Sequence, residues 1–215
     1  MRITYSMRMY RKADHVTRSW SGGTTTEIAI SPANAGYAKR NFAWRISTAT
    51  VEAETSLFTP LPGVRRITMV MDGAMTLEHV GRYQVHLTPF EQDSYSGEWT
   101  TRSIGKARNF NLMMTEGCEG ALQAVRIDAE TSLPLHFGNE RFRQSAEALY
   151  CVDGEITVTV NGDESYDLAR DDMMLCTGVN EYGLLRLRVC GKNNRTVHII
   201  KASIYACGMH SIGTA

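Results

Sequence analysis

Between residues 42 and 49 two kinds of side chain alternate. Phe42, Trp44, Ile46 and Thr48 fall on one side of an extended chain, and Ala43, Arg45, Ser47 and Ala49 on the other. A period of two marks a β-strand whose faces meet different surroundings. Runs rich in β-branched and large apolar residues recur at 67–71, 156–160 and 197–200. Asp72-Gly73, Asp153-Gly154 and Asn161-Gly162 are dipeptides of the kind that close hairpins. Helical stripes are scarce. The spacing of Phe142, Ala146 and Leu149 predicts one short helix over 139–150. Many short strands with few helices point to a sandwich or a barrel.

The turn signals repeat. Asp72-Gly73, Gly81, Leu87 and Gly97 each find the identical residue 81 positions further on, at Asp153-Gly154, Gly162, Leu168 and Gly178. Asp-Gly supplies a positive φ at a strand end. Gly81 and Gly162 sit where a hairpin must reverse. Acidic residues follow each leucine: Asp93 in the first half, Asp171 and Asp172 in the second. The chain therefore reads as two copies of one β unit, 1–120 and 121–215, each of about 100 residues. The order of marks resembles the core of cupin barrels. The expected fold is all-β: a bicupin of two double-stranded β-helix (jelly-roll) barrels in tandem.

Composition narrows the function classes. The 215 residues hold 23 Lys plus Arg and 23 Asp plus Glu, a net charge of zero. No basic block suits a nucleic-acid backbone, so no nucleic-acid partner is expected. The basic start, Arg8 to Lys12, reads as a solvated strand edge. The 5 cysteines are odd in number and widely spaced, which argues against a disulfide framework and for a reducing compartment. Arg2, Arg8, Arg11 and Lys12 interrupt any apolar leader. No apolar stretch approaches the ~18 residues of a membrane span. A cytoplasmic protein without a membrane partner is expected.

Several short motifs occur in a fixed order. They are Trp20-Ser21-Gly22-Gly23-Thr24-Thr25-Thr26-Glu27, Phe42 with Trp44-Arg45-Ile46-Ser47, and Leu61-Pro62-Gly63 followed by Arg66. Met71-Asp72-Gly73, Phe90-Glu91-Gln92-Asp93 and Phe110-Asn111-Leu112-Met113 follow. Together they resemble the HutD/Ves family of two-barrel cupins. The resemblance spans Trp20 to Met114; the second half rests on the repeat. It implies a link to histidine utilisation and a regulatory or ligand-binding role, and supplies no defined reaction. One departure matters: some relatives place an Asn between the Trp and the glycines, where this chain has Ser21.

Cupin enzymes hold a divalent metal with an H-x-H pair, a Glu and a later His. In the usual spacing the Glu lies seven residues before the strand-ending glycine. Counting back from Gly73 reaches Arg66, with Pro60 and Pro62 near the H-x-H positions. Counting back from Gly154 reaches Glu147, with Phe142 and Arg143 where His is needed. No metal and no cofactor is therefore expected. A shifted site built from His136, His198 and Glu147 is the alternative. His79 and His86 flank the Gly81 hairpin and are expected at the surface.

A barrel without metal still has a cavity suited to one small ligand. Arg45 and Ser47 share a face by period two. A buried Arg needs a carboxylate, from Glu27, from Asp93 or from a ligand. Gly22 and Gly23 permit close backbone approach, and Thr24 and Thr26 offer hydroxyls. Arg66 is favoured over Arg65 by the resemblance. Asn111 offers an amide on the face it shares with Met113, and Trp20, with Trp99, offers an apolar wall. The candidate ligand-binding set is thus Trp20, Gly22, Gly23, Thr24, Thr26, Glu27, Arg45, Ser47, Arg66, Asp93 and Asn111. No catalytic residue stands out.

Three readings remain open. The favoured one is a metal-free bicupin that binds a small polar or anionic metabolite and acts in regulation. The second is a cupin-type isomerase, epimerase or lyase using carboxylates or an unconventional metal. The third is an interaction protein with a vestigial cavity. The residues favour a binder over an enzyme, and a homodimer is compatible with the fold class.

Overall fold

The structure, a computed structural model, describes residues 4–138, 141–142, 144–179, 183–192 and 195–206. The described chain is almost entirely strand, divided into two compact units. In chain order the first strand is β1 (Tyr5–Tyr10), followed by a 3-10 turn at Lys12–Asp14.

One unit is His15–Cys118. Its strands are β2 (Val16–Trp20), β3 (Gly23–Ser31), β4 (Trp44–Val51), β5 (Thr55–Leu57), β6 (Val64–Gly73), β7 (Met75–His79), β8 (Tyr83–Leu87), β9 (Gln92–Ser96), β10 (Thr101–Ile104) and β11 (Ala107–Thr115). They form a six-stranded sheet, β2-β3-β4-β11-β6-β9, and a four-stranded sheet, β5-β10-β7-β8. Phe58, Val70, Met75, Leu77, Leu87 and Tyr95 fill part of the interior.

The other unit takes residues 4–14 together with 119–206. Its strands are β12 (Cys118–Ile127), β13 (Thr131–Phe137), β14 (Gln144–Cys151), β15 (Glu155–Val160), β16 (Glu164–Ala169), β17 (Met173–Val179), β18 (Gly183–Gly191) and β19 (Val197–Ala206). The sheets are β1-β17-β14-β19-β12 and β13-β18-β15-β16. A core of Leu, Ile, Val and Phe lies within it, with Tyr5, Met7 and Met9 of β1 packed against it. The break falls at Glu119, and β1, which pairs antiparallel with β17, belongs with the later residues.

The 81-residue repeat extends to individual hydrogen bonds. Gly73 and Gly154 have φ of 75° and 65°, and Gly81 and Gly162 have 75° and 84°. Phe90 and Asp171, also 81 apart, carry φ of 70° and 75°, in a region where L residues are strained. The Phe90 amide donates to the Val70 carbonyl at 2.8 Å, and Asp171 donates to Cys151 at 2.8 Å. A carboxylate accepts the amide of the preceding turn in both: Glu91 from Thr88, Asp172 from Ala169. The two turns thus share one backbone geometry while their side chains differ.

One expectation fails. Residues 144–151 are not helical but form β14, bonded on both sides to β17 and β19. Seven of its eight residues are buried. Pairing inside a buried sheet outweighs the helix-like spacing of three apolar residues. Asn139, Glu140 and Arg143 lie outside the described residues. No described helix is long and apolar enough to cross a membrane.

Candidate functional site

The inward face of the six-stranded sheet carries the candidate residues in rows. Arg45 on β4 stands opposite Met113 on β11, which stands opposite Arg66 on β6. Two residues along, the next row reads Glu27, Ser47, Asn111, Thr68, Asp93 across five strands. A third row holds Ala49, Asn109 and Val70. Period two along each strand, with register between strands, gathers residues distant in sequence onto one surface.

This surface lines a cavity of about 240 Å³ within the His15–Cys118 unit. Of the expected set, Trp20, Arg45, Ser47, Arg66 and Asn111 line it. Thr25, Tyr37, Phe58, Asn109 and Met113 line it as well. Asn109 lies two residues from Asn111, so period two could have found it. Tyr37 arrives from the connection between β3 and β4, where no periodicity points.

The two arginines differ. Arg45, 4% exposed, donates from Nε to Glu27 Oε2 at 2.7 Å and from Nη1 to Ser47 Oγ at 2.8 Å. Its guanidinium stacks 4.6 Å from the Tyr37 ring centroid. Arg66 is 8% exposed and has neither hydrogen bond nor ion pair among the described residues. It rests against aromatic faces, 5.0 Å from Phe58 and 5.3 Å from Tyr95. A second donor is unspent: the indole Nε1 of Trp20 is buried without a partner among the described residues. Asn111 accepts from Thr68 Oγ1 at 2.9 Å and donates to Asn109. Among the described residues the amide nitrogen of Asn109 then meets only the Met75 sulfur, at 4.0 Å. The cavity thus offers a surplus of donors and of positive charge.

The remaining candidates stand elsewhere. Thr24 and Thr26 lie on the opposite face from Thr25, and Thr26 bonds Thr17 at 2.8 Å. A Cβ on Gly22 would lie 2.2 Å from the Trp20 ring and 2.3 Å from Ser56 Oγ, so Gly22 makes room for the indole. A Cβ on Gly23 would meet the Thr50 carbonyl at 2.0 Å. The close approach these glycines permit is therefore to the protein itself. Asp93 faces inward but turns away from Arg45. It bonds His79 Nε2 at 2.8 Å and accepts from the Tyr83 hydroxyl at 3.1 Å. Burial, then the neighbouring Asp93 carboxylate, pushes the Tyr83 phenol up to about 12. His79 is not at the surface. It is 1% exposed, held also by Thr101 and enclosed by Tyr83, Tyr95 and Trp99. The end of β7 lies on the barrel's inner face, which the nearby turn disguises. Trp99 packs there with Arg82 and does not line the cavity.

In the other unit the position equivalent to Arg66, 81 residues on, is Glu147. It is 1% exposed, accepts from Ser203 at 2.7 Å and lies 3.5 Å from Lys201 Nζ. Burial pushes its carboxyl up, and Lys201 and Ser203 oppose that. Lys201 also donates to the Pro134 carbonyl at 2.9 Å. His198 bonds Asp153 instead, at 2.8 Å, and the His136 side chain is exposed. Glu147, His136 and His198 therefore do not converge, and no group of three metal-ligating side chains occurs among the described residues.

Two jelly-roll units with an all-β repeat, one of them enclosing a cationic cavity, define a two-barrel cupin. The model of the HutD family matches residues 12–195, and the chain belongs to that family. A Pseudomonas putida protein, the uncharacterised 21.2 kDa protein of the hutC 3′ region, is 30% identical over 194 residues, covering 86% of this chain and 94% of its own. Among solved structures, the conserved protein of unknown function PA5104 from Pseudomonas aeruginosa PAO1 superposes with a TM-score of 0.78 at 22% identity, covering 94% of this chain and 100% of its own. HutD from Pseudomonas fluorescens SBW25 gives 0.70 at 24% identity, with 94% and 100% covered.

Proposed function

We propose that this HutD-family protein binds a small carboxylate-bearing metabolite in the cavity of the His15–Cys118 unit and acts as a cytoplasmic regulator of histidine utilisation. The observation that carries this reading is Arg66, a buried guanidinium without a carboxylate among the described residues. A buried charge is costly unless paired, and a ligand carboxylate is its natural partner. Trp20 Nε1 and the Asn109 amide supply further donors to an acceptor-rich molecule. Arg45, already paired with Glu27, shapes the site rather than anchoring the anion. The equivalent position in the other unit is a carboxylate, Glu147, paired with its own Lys201 and unsuited to an anion, so one ligand per chain is expected. The family and the relative in the hutC 3′ region support the pathway. The described cysteines are free thiols, which suits a reducing compartment.

The test is calorimetric titration with urocanate, formylglutamate, formiminoglutamate and histidine, paired with thermal unfolding. Binding of one acid, abolished by Arg66→Met, is the expected result. Failure of every compound to bind the folded protein would overturn the reading.

A further inference from the structure

The charges around the cavity do not simply add to a basic pocket. Arg45 and Arg66 stand in one row with Met113 between them, two strand spacings or roughly 10 Å apart at the backbone. Such a pair would suit a molecule with a carboxylate at each end. One of the two guanidinium groups is already taken. Glu27 holds Arg45 Nε at 2.7 Å, and Ser47 takes a second donor. The Glu27 side chain is 20% exposed and that of Arg45 5%, so water screens the pair little. Asp93, the other acid on the inner face, is committed to His79 and Tyr83.

We propose that Glu27 is a specificity-determining residue: an internal counter-ion that occupies Arg45 and restricts the cavity to monoanions. This rests on the reading of the cavity as a carboxylate site and names the charge of its ligand. Arg66 accepts one carboxylate. A second carboxylate directed at the other end of the row finds Arg45 already neutralised by Glu27, which does not line the cavity itself but holds its charge 2.7 Å from Arg45 Nε, and like charges in a poorly screened site repel. The far end of the ligand is therefore neutral, and the amide and hydroxyl groups of Asn109, Asn111 and Ser47 face it. In effect the protein carries its own second carboxylate, fixed to β3, where a dianionic ligand would otherwise supply one.

The experiment compares matched pairs that differ only in charge: glutaramate against glutarate, and succinamate against succinate, titrated calorimetrically into the full chain near neutral pH. The wild-type protein should bind the monoanion of each pair at least about tenfold more tightly, the scale of one charged hydrogen bond. Glu27→Gln keeps an acceptor for Arg45 but removes the charge. It should raise dianion affinity by about tenfold or more, so that the preference for the monoanion shrinks or disappears. Glu27→Ala is made alongside, so the result does not hang on the folding of one variant. Unfolding midpoints without ligand confirm that each is folded. Dianions bound as well as monoanions by the wild type overturn the proposal, whatever the variants do. So does a folded Glu27 variant that keeps the wild-type preference. If no member of either pair binds, the carboxylate reading of the cavity falls first and this one with it.

Discussion

Arg66→Met should leave the ligand-free protein at least as stable as the wild type. In the native state Arg66 is buried, and its Nε–H has no acceptor among the described residues. An unsatisfied buried donor costs about 1–3 kcal/mol, more when it is charged. Against this stand two aromatic contacts, at 5.0 and 5.3 Å, each contributing about 0.5–1 kcal/mol. Methionine keeps most of the apolar stem and packs adaptably against Phe58 and Tyr95. The balance runs from about 1 kcal/mol against the variant to about 2 kcal/mol in its favour, and the charge on the donor moves it toward the variant. For a unit of this size about 1 kcal/mol moves the unfolding midpoint by about 4–8 °C. The assay is thermal unfolding followed by near-ultraviolet circular dichroism, with and without a saturating carboxylate. A ligand at a hundredfold excess over its Kd stabilises the wild type by about 2.7 kcal/mol. That rise should vanish in Arg66→Met while the ligand-free midpoint stays level or climbs. A ligand-free loss of more than about 2 kcal/mol would refute the reasoning, because Arg66 would then be a structural residue whose partners are satisfied.

Gly22→Ala places a methyl within 2.3 Å of the Trp20 ring and of Ser56 Oγ. Overpacking of this kind costs about 1–3 kcal/mol, and the displaced indole should red-shift the tryptophan emission and weaken carboxylate binding; an unchanged spectrum with unchanged affinity would show that Gly22 does not seat the indole. Asp172 clamps β1 through Arg11 Nη1 at 2.7 Å and the Lys12 amide at 2.9 Å. Burial by itself would raise its carboxyl, but the amides of Lys12 and Ala169 and the Arg11 guanidinium outweigh it and hold the pKa below the usual value. A depressed folded pKa contributes stability above the unfolded value, near pH 3.9, and loses it as pH falls through the folded one. Amide exchange of Tyr5–Tyr10 should therefore accelerate on acidification below about pH 4, and at neutral pH in Asp172→Asn. Equal protection of those amides in variant and wild type would sink the clamp.

Much of the site could be read from the chain because its logic is periodic. Arg45 and Ser47, and Asn111 and Met113, share faces for the simple reason that strands alternate. The structure adds only the register that sets them side by side. Glu27 was one of several possible partners for Arg45; the choice against Asp93 depends on His79, a histidine two turns of chain away in a different sheet. Tyr37 and Phe58 come from connections, which carry no period. The glycine pair was legible as a close approach, but not what approaches it. Arg8 and Arg11 are indeed solvated. The pairing of their strand with β17 was invisible, since no local pattern encodes a partner so far along the chain.

That distant pairing has a consequence for how the protein is made. Ser6 and Thr177, joined by a hydrogen bond of 2.6 Å across β1 and β17, are 171 residues apart. At ribosomal speeds of about 5–20 residues per second, β1 waits roughly 10–30 s for its partner to be synthesised. Every residue that lines the cavity, from Val16 to Met113, has been synthesised before β17. During that interval Tyr5, Met7 and Met9 have no sheet to join, and the unfinished edge is open to chaperones or to neighbouring chains. A tag or fusion placed ahead of β1 would therefore be felt first in assembly of the later unit, not at Arg66.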